Sequence, residues 1–82
     1  MPDMLQKISE IVSETTGNDP AEMSADSDLI EDLNFSDVEF KRLVVAVNKH
    51  FHISLNSREA NLEEIQTLGE FADIVAEETE LG

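Results

Sequence analysis

Cysteine is absent from the 82 residues, which excludes a disulfide staple and any Cys-based metal site. Packed aliphatic side chains must therefore hold the fold. The 40% apolar content suffices for one small domain, near the low end of what closes a core unaided. The expectation is a single domain over residues 1–82. No stretch approaches the roughly 18 consecutive apolar residues that a membrane span needs. The opening "MPDMLQKISE" has neither the basic start nor the apolar run of a signal peptide. With the missing cysteine, these absences lead to the expectation of a soluble, cytoplasmic protein, and a monomer is expected. No internal repeat or linker is visible.

Basic residues are scarce: five Lys and Arg stand against 19 Asp and Glu, a net charge of −14. Nucleic-acid binding rests on neutralising phosphates with Lys and Arg, so that class is excluded. Anionic membranes are repelled for the same reason. The complementary partner for such a surface is a protein with a basic patch.

What is present is helical periodicity. Met4, Leu5, Ile8, Ile11, Val12 and Thr15 recur at helical spacing, with Asp3 as cap and Gly17 as stop, predicting a helix from about Asp3 to Thr16. Residues 18–35 read as a long loop whose anchors Leu29, Ile30, Leu33 and Phe35 call for a core, so the loop should be ordered. The central helix, about Ser36 to Phe51, places Phe40, Leu43, Val44, Val47 and Phe51 on one face. Val45 and Ala46 widen that stripe, which predicts packing on more than one neighbour. Ile53 and Leu55 follow as anchors, then a short helix capped by Asn56 or Ser57. Thr67 and Glu70 have the spacing of a capping box before a last helix that buries Leu68, Phe71, Ile74 and Val75. Residues from Glu77 onward should fray. The fold class is all-α: a small four-helix bundle with three longer helices and one short one.

The one hydroxyl at the mouth of the central helix is Ser36. Ser36-Asp37-Val38-Glu39 has capping-box spacing, and a serine cap is worth about 1 kcal/mol against alanine. His50 and His52 lie about four helical turns away, so no base is in reach to activate Ser36 for covalent catalysis. The histidines have no metal partner at ligand spacing and read as surface or half-buried. Asp26, Asp28 and Asp32 resemble part of a calcium loop, but Ile30 and Glu31 stand where an oxygen ligand and a glycine are required. Loose divalent-cation association, relieving self-repulsion, fits that loop better than a dedicated site. No catalytic set is legible, so the expectation is a protein that is not an enzyme.

The order helix, long loop, "DSDLIEDL", central helix, Phe51-His52-Ile53 (where the family reads Phe-Gly-Ile), short helix, "TLGEF" closely resembles an acyl carrier protein, from about Leu5 to Val75. The resemblance implies the carrier fold and a covalent 4′-phosphopantetheine on a serine, with acyl intermediates held as thioesters for a lipid or fatty-acid-type pathway. It also implies a phosphopantetheinyl transferase and acyl-transferring enzymes with basic patches as partners. An acyl chain would lie between helices, near Leu33, Phe40, Val44, Ile53 and Ile74. The family carries Asp-Ser-Leu at the head of the central helix, where this chain reads Ser-Asp-Val. Counted without gaps, the family's Gly falls on Asn34, its Asp on Ser36, its Ser on Asp37 and its Leu on Val38. A one-residue shift makes Ser36 the attachment site. Without the shift, Ser36 is a cap and the chain is a cofactor-free module of the same fold that binds a basic protein. Residues 36–51 hold two acids and three bases, a net +1, whereas residues 19–32 hold six acids and no base. An enzyme tuned to an acidic central helix would meet repulsion at Arg42. The charge pattern thus implies a specialised carrier with its own enzymes, unless Lys41 and Arg42 only balance Asp37 and Glu39 along the helix.

Overall fold

Apolar side chains at helical spacing set the three long elements. The computed structural model describes residues 4–56 and 60–81. In it α1 spans Met4–Thr16, α2 Asp37–Phe51 and α3 Leu68–Leu81, with a short 3-10 turn at Pro20–Glu22. α1 ends where expected: Gly17 adopts φ 83° and its N–H closes on the Ser13 carbonyl at 2.8 Å. That left-handed turn favours glycine. Asp3, the expected cap of α1, lies outside the described residues.

The buried faces coincide with the apolar stripes. Ile8, Ile11 and Val12 of α1, Phe40, Leu43, Val44 and Val47 of α2, and Leu68, Phe71 and Val75 of α3 join one buried cluster. α1 packs against both α2 and α3, while Phe40 meets Phe71 edge-on at 5.3 Å between ring centroids and so ties α2 to α3. Phe35 sits edge-on to Phe40 at 6.1 Å, anchoring the loop before α2 in the same aromatic row.

Two expected anchors point elsewhere. Ile30 is 52% exposed and Val45 64% exposed. Residues 28–34 wind as a helical turn, with Leu33 N–H on the Asp28 carbonyl and Phe35 N–H on the Leu29 carbonyl. That winding turns Leu29 and Leu33 inward and Ile30 outward. Val45 faces away from the core because the buried stripe of α2, Phe40, Leu43, Val44 and Val47, is narrow and lies on the opposite side of the helix. Val45 therefore does not widen the packing, although Ala46 is half-buried.

The fourth, short helix has a different outcome. Ser57, one of its two expected caps, and residues 58–59 lie outside the described residues, and the described stretch from Ala60 to Gln66 is turn rather than helix. Asn61 shapes it: its Oδ1 accepts the N–H groups of Glu63 and Glu64 at 3.1 and 3.0 Å. That local side-chain bonding competes with a continuous helix. Among the described residues the architecture is three helices without a strand, plus one isolated antiparallel bridge between Asp28 and Thr67.

Fraying from Glu77 is likewise not seen. α3 continues to Leu81, through Ala76 and three glutamates that favour helix, and the Thr79 hydroxyl donates to the Ala76 carbonyl at 2.9 Å.

The long loop is stitched to the start of α3. Leu29 N–H donates to the Gln66 carbonyl, Leu68 N–H to the Ser27 carbonyl and Gly69 N–H to the Ala25 carbonyl, each at 3.0 Å. Thr67 caps the helix as its spacing predicts, its Oγ1 accepting Glu70 N–H at 3.2 Å. The orphan donors of this helix end are thus satisfied by protein. Gly69 has a packing reason: a Cβ there would stand 2.9 Å from the Ala25 carbonyl oxygen, too close without a backbone shift.

Asp28 organises the loop's turn. Its carboxylate accepts Glu31 N–H and Ile30 N–H at 2.9 Å each, and the Gln66 amide at 3.5 Å. The Glu31 N–H, opposed by desolvation and joined by the N–H groups of Ile30 and Gln66, holds the carboxyl below the usual aspartate value of 3.8. A lowered folded value means stability that is complete above the unfolded value and lost as pH falls through the folded one. We expect Asp28→Ala to lower the melting temperature above about pH 5, and the difference to shrink as pH falls below the usual carboxylate range. Melts followed by circular dichroism across that range check it; an unchanged difference at low pH would assign the loss to something other than the carboxylate.

At the end of α2, His52 adopts φ 58° and ψ 45°, with its N–H on the Asn48 carbonyl. A left-handed conformation costs a non-glycine residue about 1–2 kcal/mol. The His52 side chain is exposed, so little opposes its removal. His52→Gly should stabilise the fold by about 1 kcal/mol, read as a rise of about 4–8 °C in melting temperature. A fall would mean that the imidazole makes a stabilising contact in solution.

Candidate functional site

The loop and α2 together present Ser36 at the surface. Its backbone is extended, φ −96° and ψ 168°, and it is the N-cap of α2. The hydroxyl accepts Glu39 N–H at 3.3 Å and donates to Glu39 Oε1 at 3.2 Å. The capping-box spacing is therefore realised, with the Glu39 carboxylate closing on the serine hydroxyl. α2 begins at Asp37 with Ser36 as its cap, as the capping-box spacing predicts.

Beyond the cap, the N–H groups of Asp37 and Val38 have no acceptor among the described residues, while Phe40 N–H makes the first intrahelical bond, to the Ser36 carbonyl. A helix start with free donors and the positive end of the dipole is a favourable setting for a phosphate. A phosphodiester on the Ser36 oxygen would lie beside those two N–H groups. It would also face the Glu39 carboxylate, which must swing aside, and the carboxylate of Asp37. The residues fit the group through the backbone, with the side-chain charge set against it.

The backbone bears on the register. Asn34 has φ 57° and His52 φ 58°; both stand where the ungapped count places a glycine of the family, and both adopt the conformation glycine tolerates best. Both conformations agree with the ungapped count, on which Asp37, the first residue of the helix, falls at the place of the family's serine. Ser36 is the exposed hydroxyl one residue before it.

Other hydroxyls are placed less well. Ser27 is buried, its Oγ accepting Ser24 N–H at 3.0 Å. His50 and His52 are exposed at the far end of α2, and His50 rests edge-on to Phe51 at 4.7 Å. The structure does not bring them to Ser36. Of the acids singled out in the loop, Asp28 is committed to backbone N–H groups, and Asp32 Oδ2 accepts Asp28 N–H at 2.7 Å. Among the described residues no three His, Cys, Asp or Glu side chains are grouped to hold a metal ion.

A groove runs along one side of α2 from Asp37. Its first part is lined by Phe40, Lys41, Ala60 and Leu62, its second by Val44, Asn48, Leu55 and Ala60. Asn48 builds the far wall: its Nδ2 donates to the Leu55 carbonyl at 3.0 Å and its Oδ1 accepts Leu55 N–H at 2.9 Å. This bracket had no sequence signal, since an asparagine within a helical stripe gives no hint of a partner seven residues on. Of the side chains expected to shelter an acyl chain, Phe40 and Val44 line the groove, Leu33 is buried in the core, and Ile53 and Ile74 are half-buried against it.

A helical module with an exposed serine at the start of its central helix and an apolar groove leading away from it has the form of a carrier domain. Comparison with known proteins gives the same class. Residues 6–75 match the family model described as the phosphopantetheine attachment site. The acyl carrier protein of Caulobacter vibrioides is 30% identical over 79 residues, covering 96% of this chain and 99% of the relative. That of Clostridium acetobutylicum is 25% identical over 77 residues, covering 94% and 97%. The chain belongs to the phosphopantetheine attachment-site family, that of the acyl carrier proteins, which are carriers and not enzymes. No described helix is long and apolar enough to cross a membrane.

Proposed function

We propose that this chain is a single-domain, monomeric acyl carrier that takes 4′-phosphopantetheine on Ser36 and serves a dedicated lipid or fatty-acid-type pathway in the cytoplasm. The observation that supports Ser36 is its exposed hydroxyl at the mouth of α2, beside the N–H groups of Asp37 and Val38, which have no acceptor among the described residues. When attached, the group supplies a thiol on a flexible arm, able to hold an acyl chain as a thioester. The chain's own residues do the rest. The first turn of α2 receives the phosphate, and the groove from Phe40 to Leu55 offers apolar walls to the acyl tail. Asn48 fixes the outer wall of that groove. Partners with basic patches, as the net charge of −14 favours, would meet the acidic 19–32 loop.

A second reading is favoured by a specific observation: the Ser36 hydroxyl is engaged at both donor and acceptor by Glu39, while the ungapped count would put Asp37 at the family's serine position. On that reading the chain keeps the carrier fold without the group and acts as an interaction module for a basic protein. Intact mass after incubation with a phosphopantetheinyl transferase and its phosphopantetheine donor separates the two. One added 4′-phosphopantetheinyl group, lost in Ser36→Ala, is the outcome expected for the carrier. Unchanged mass with several unrelated transferases selects the second reading.

A further inference from the structure

α2 carries a second stripe, opposite its buried one. Val38, Lys41, Arg42, Val45 and Lys49 stand at i, i+3, i+4, i+7 and i+11, so they share one face. All are exposed, and Val38 and Val45, at 60% and 64%, are two of the three exposed large apolar side chains among the described residues. Val38, Lys41, Arg42 and Val45 line one shallow depression, whose walls are the valines and the aliphatic stems of the two cations. Three of the five basic residues of a chain with 19 acids lie here. No ion pair among the described residues engages Lys41, Arg42 or Lys49, although Asp37 and Glu39 are on the same helix. The two acids flank the stripe on opposite sides, leaving the three cations on an apolar ground.

We propose that this face is a docking surface for a protein partner that presents acidic side chains around an apolar centre. Charge complementarity selects that occupant. Cations left unpaired at an apolar depression favour carboxylates at the rim and an aliphatic or aromatic side chain at the centre. A second copy of the chain is disfavoured by repulsion between two molecules of −14 each, and an anionic bilayer by the same field. The attraction is local, acting within a Debye length of about 8 Å at physiological salt. The proposal holds whether or not Ser36 is loaded, because it rests on α2 side chains alone.

The test uses the full chain, isotope-labelled for NMR, titrated with two helical peptides that share a leucine stripe and differ in carrying glutamate or lysine around it. The glutamate peptide should shift the amides of Val38, Lys41, Arg42, Val45 and Lys49, with an affinity that falls as salt rises. Lys41→Glu with Arg42→Glu should weaken it at least about tenfold while the circular dichroism stays native, and Lys7→Glu on α1 should leave it unchanged. Preference of this face for the lysine peptide, or shifts centred elsewhere, would overturn the proposal. Binding to phosphatidylglycerol vesicles through the same residues, or concentration-dependent self-association lost in the double variant, would assign the face to a membrane or to a second copy and overturn it equally.

Discussion

Val47→Asp is expected to abolish the cooperative unfolding transition of this protein. Val47 is fully buried at the centre of α2, inside the one cluster that all three helices share. The substitution removes about 1.5–3 kcal/mol of apolar burial. It also leaves a carboxylate without a partner, at a cost of several kcal/mol more. A domain of this size has about 4–12 kcal/mol in total. Val45→Asp is the matched control: two residues earlier on the same helix and 64% exposed, it should change stability by no more than about 0.5 kcal/mol. Thermal melts followed at 222 nm separate the pair. A cooperative melt for Val47→Asp within a few degrees of the parent protein would mean that α2 is rotated about its axis relative to the structure described here.

Those two valines also show where the sequence was legible and where it was not. Periodicity placed α1, α2 and the face of α3 because burial of a helix stripe repeats every three to four residues, and Phe40, Leu43, Val44 and Val47 obey that rule. Val45 was misassigned because hydrophobicity alone does not say how wide a stripe its neighbours cover. Ile30 was misassigned for a related reason: inside a wound turn, a run of apolar residues no longer shares one direction. The caps at Ser36 and Thr67 were legible, since a hydroxyl followed three residues later by glutamate is a local chemical pattern. Contacts between distant segments left no local trace. The Asn48 bracket on Leu55, the stitching of Ala25 and Ser27 to the start of α3, and the close approach that requires Gly69 are all fixed by tertiary packing. At the candidate site, the hydroxyl and its capping glutamate could be read in advance. The left-handed backbone at Asn34 and His52 could not, because neither residue is glycine.

That backbone makes exchange of the two residues at the head of α2 the most informative substitution. In Ser36→Asp with Asp37→Ser, net charge is unchanged and aspartate caps a helix as well as serine does, so the acceptor for Glu39 N–H is retained. Stability should stay within about 0.5 kcal/mol of the parent. The hydroxyl, however, moves from the cap to the first residue of the helix. There it is released from its bond to Glu39 and stands where the ungapped count places the family's serine. A phosphopantetheinyl transferase should load the exchanged protein at least about tenfold faster than the natural chain, a barrier lower by about 1.4 kcal/mol, as followed by intact mass over time. Loading of the natural chain alone would show that the cap position is the one recognised, and that the frame set by Asn34 and His52 does not govern the site. Loading of the exchanged protein alone would leave Ser36 as a helix cap, its hydroxyl turned to Glu39, and the natural chain as a carrier fold that works without the arm.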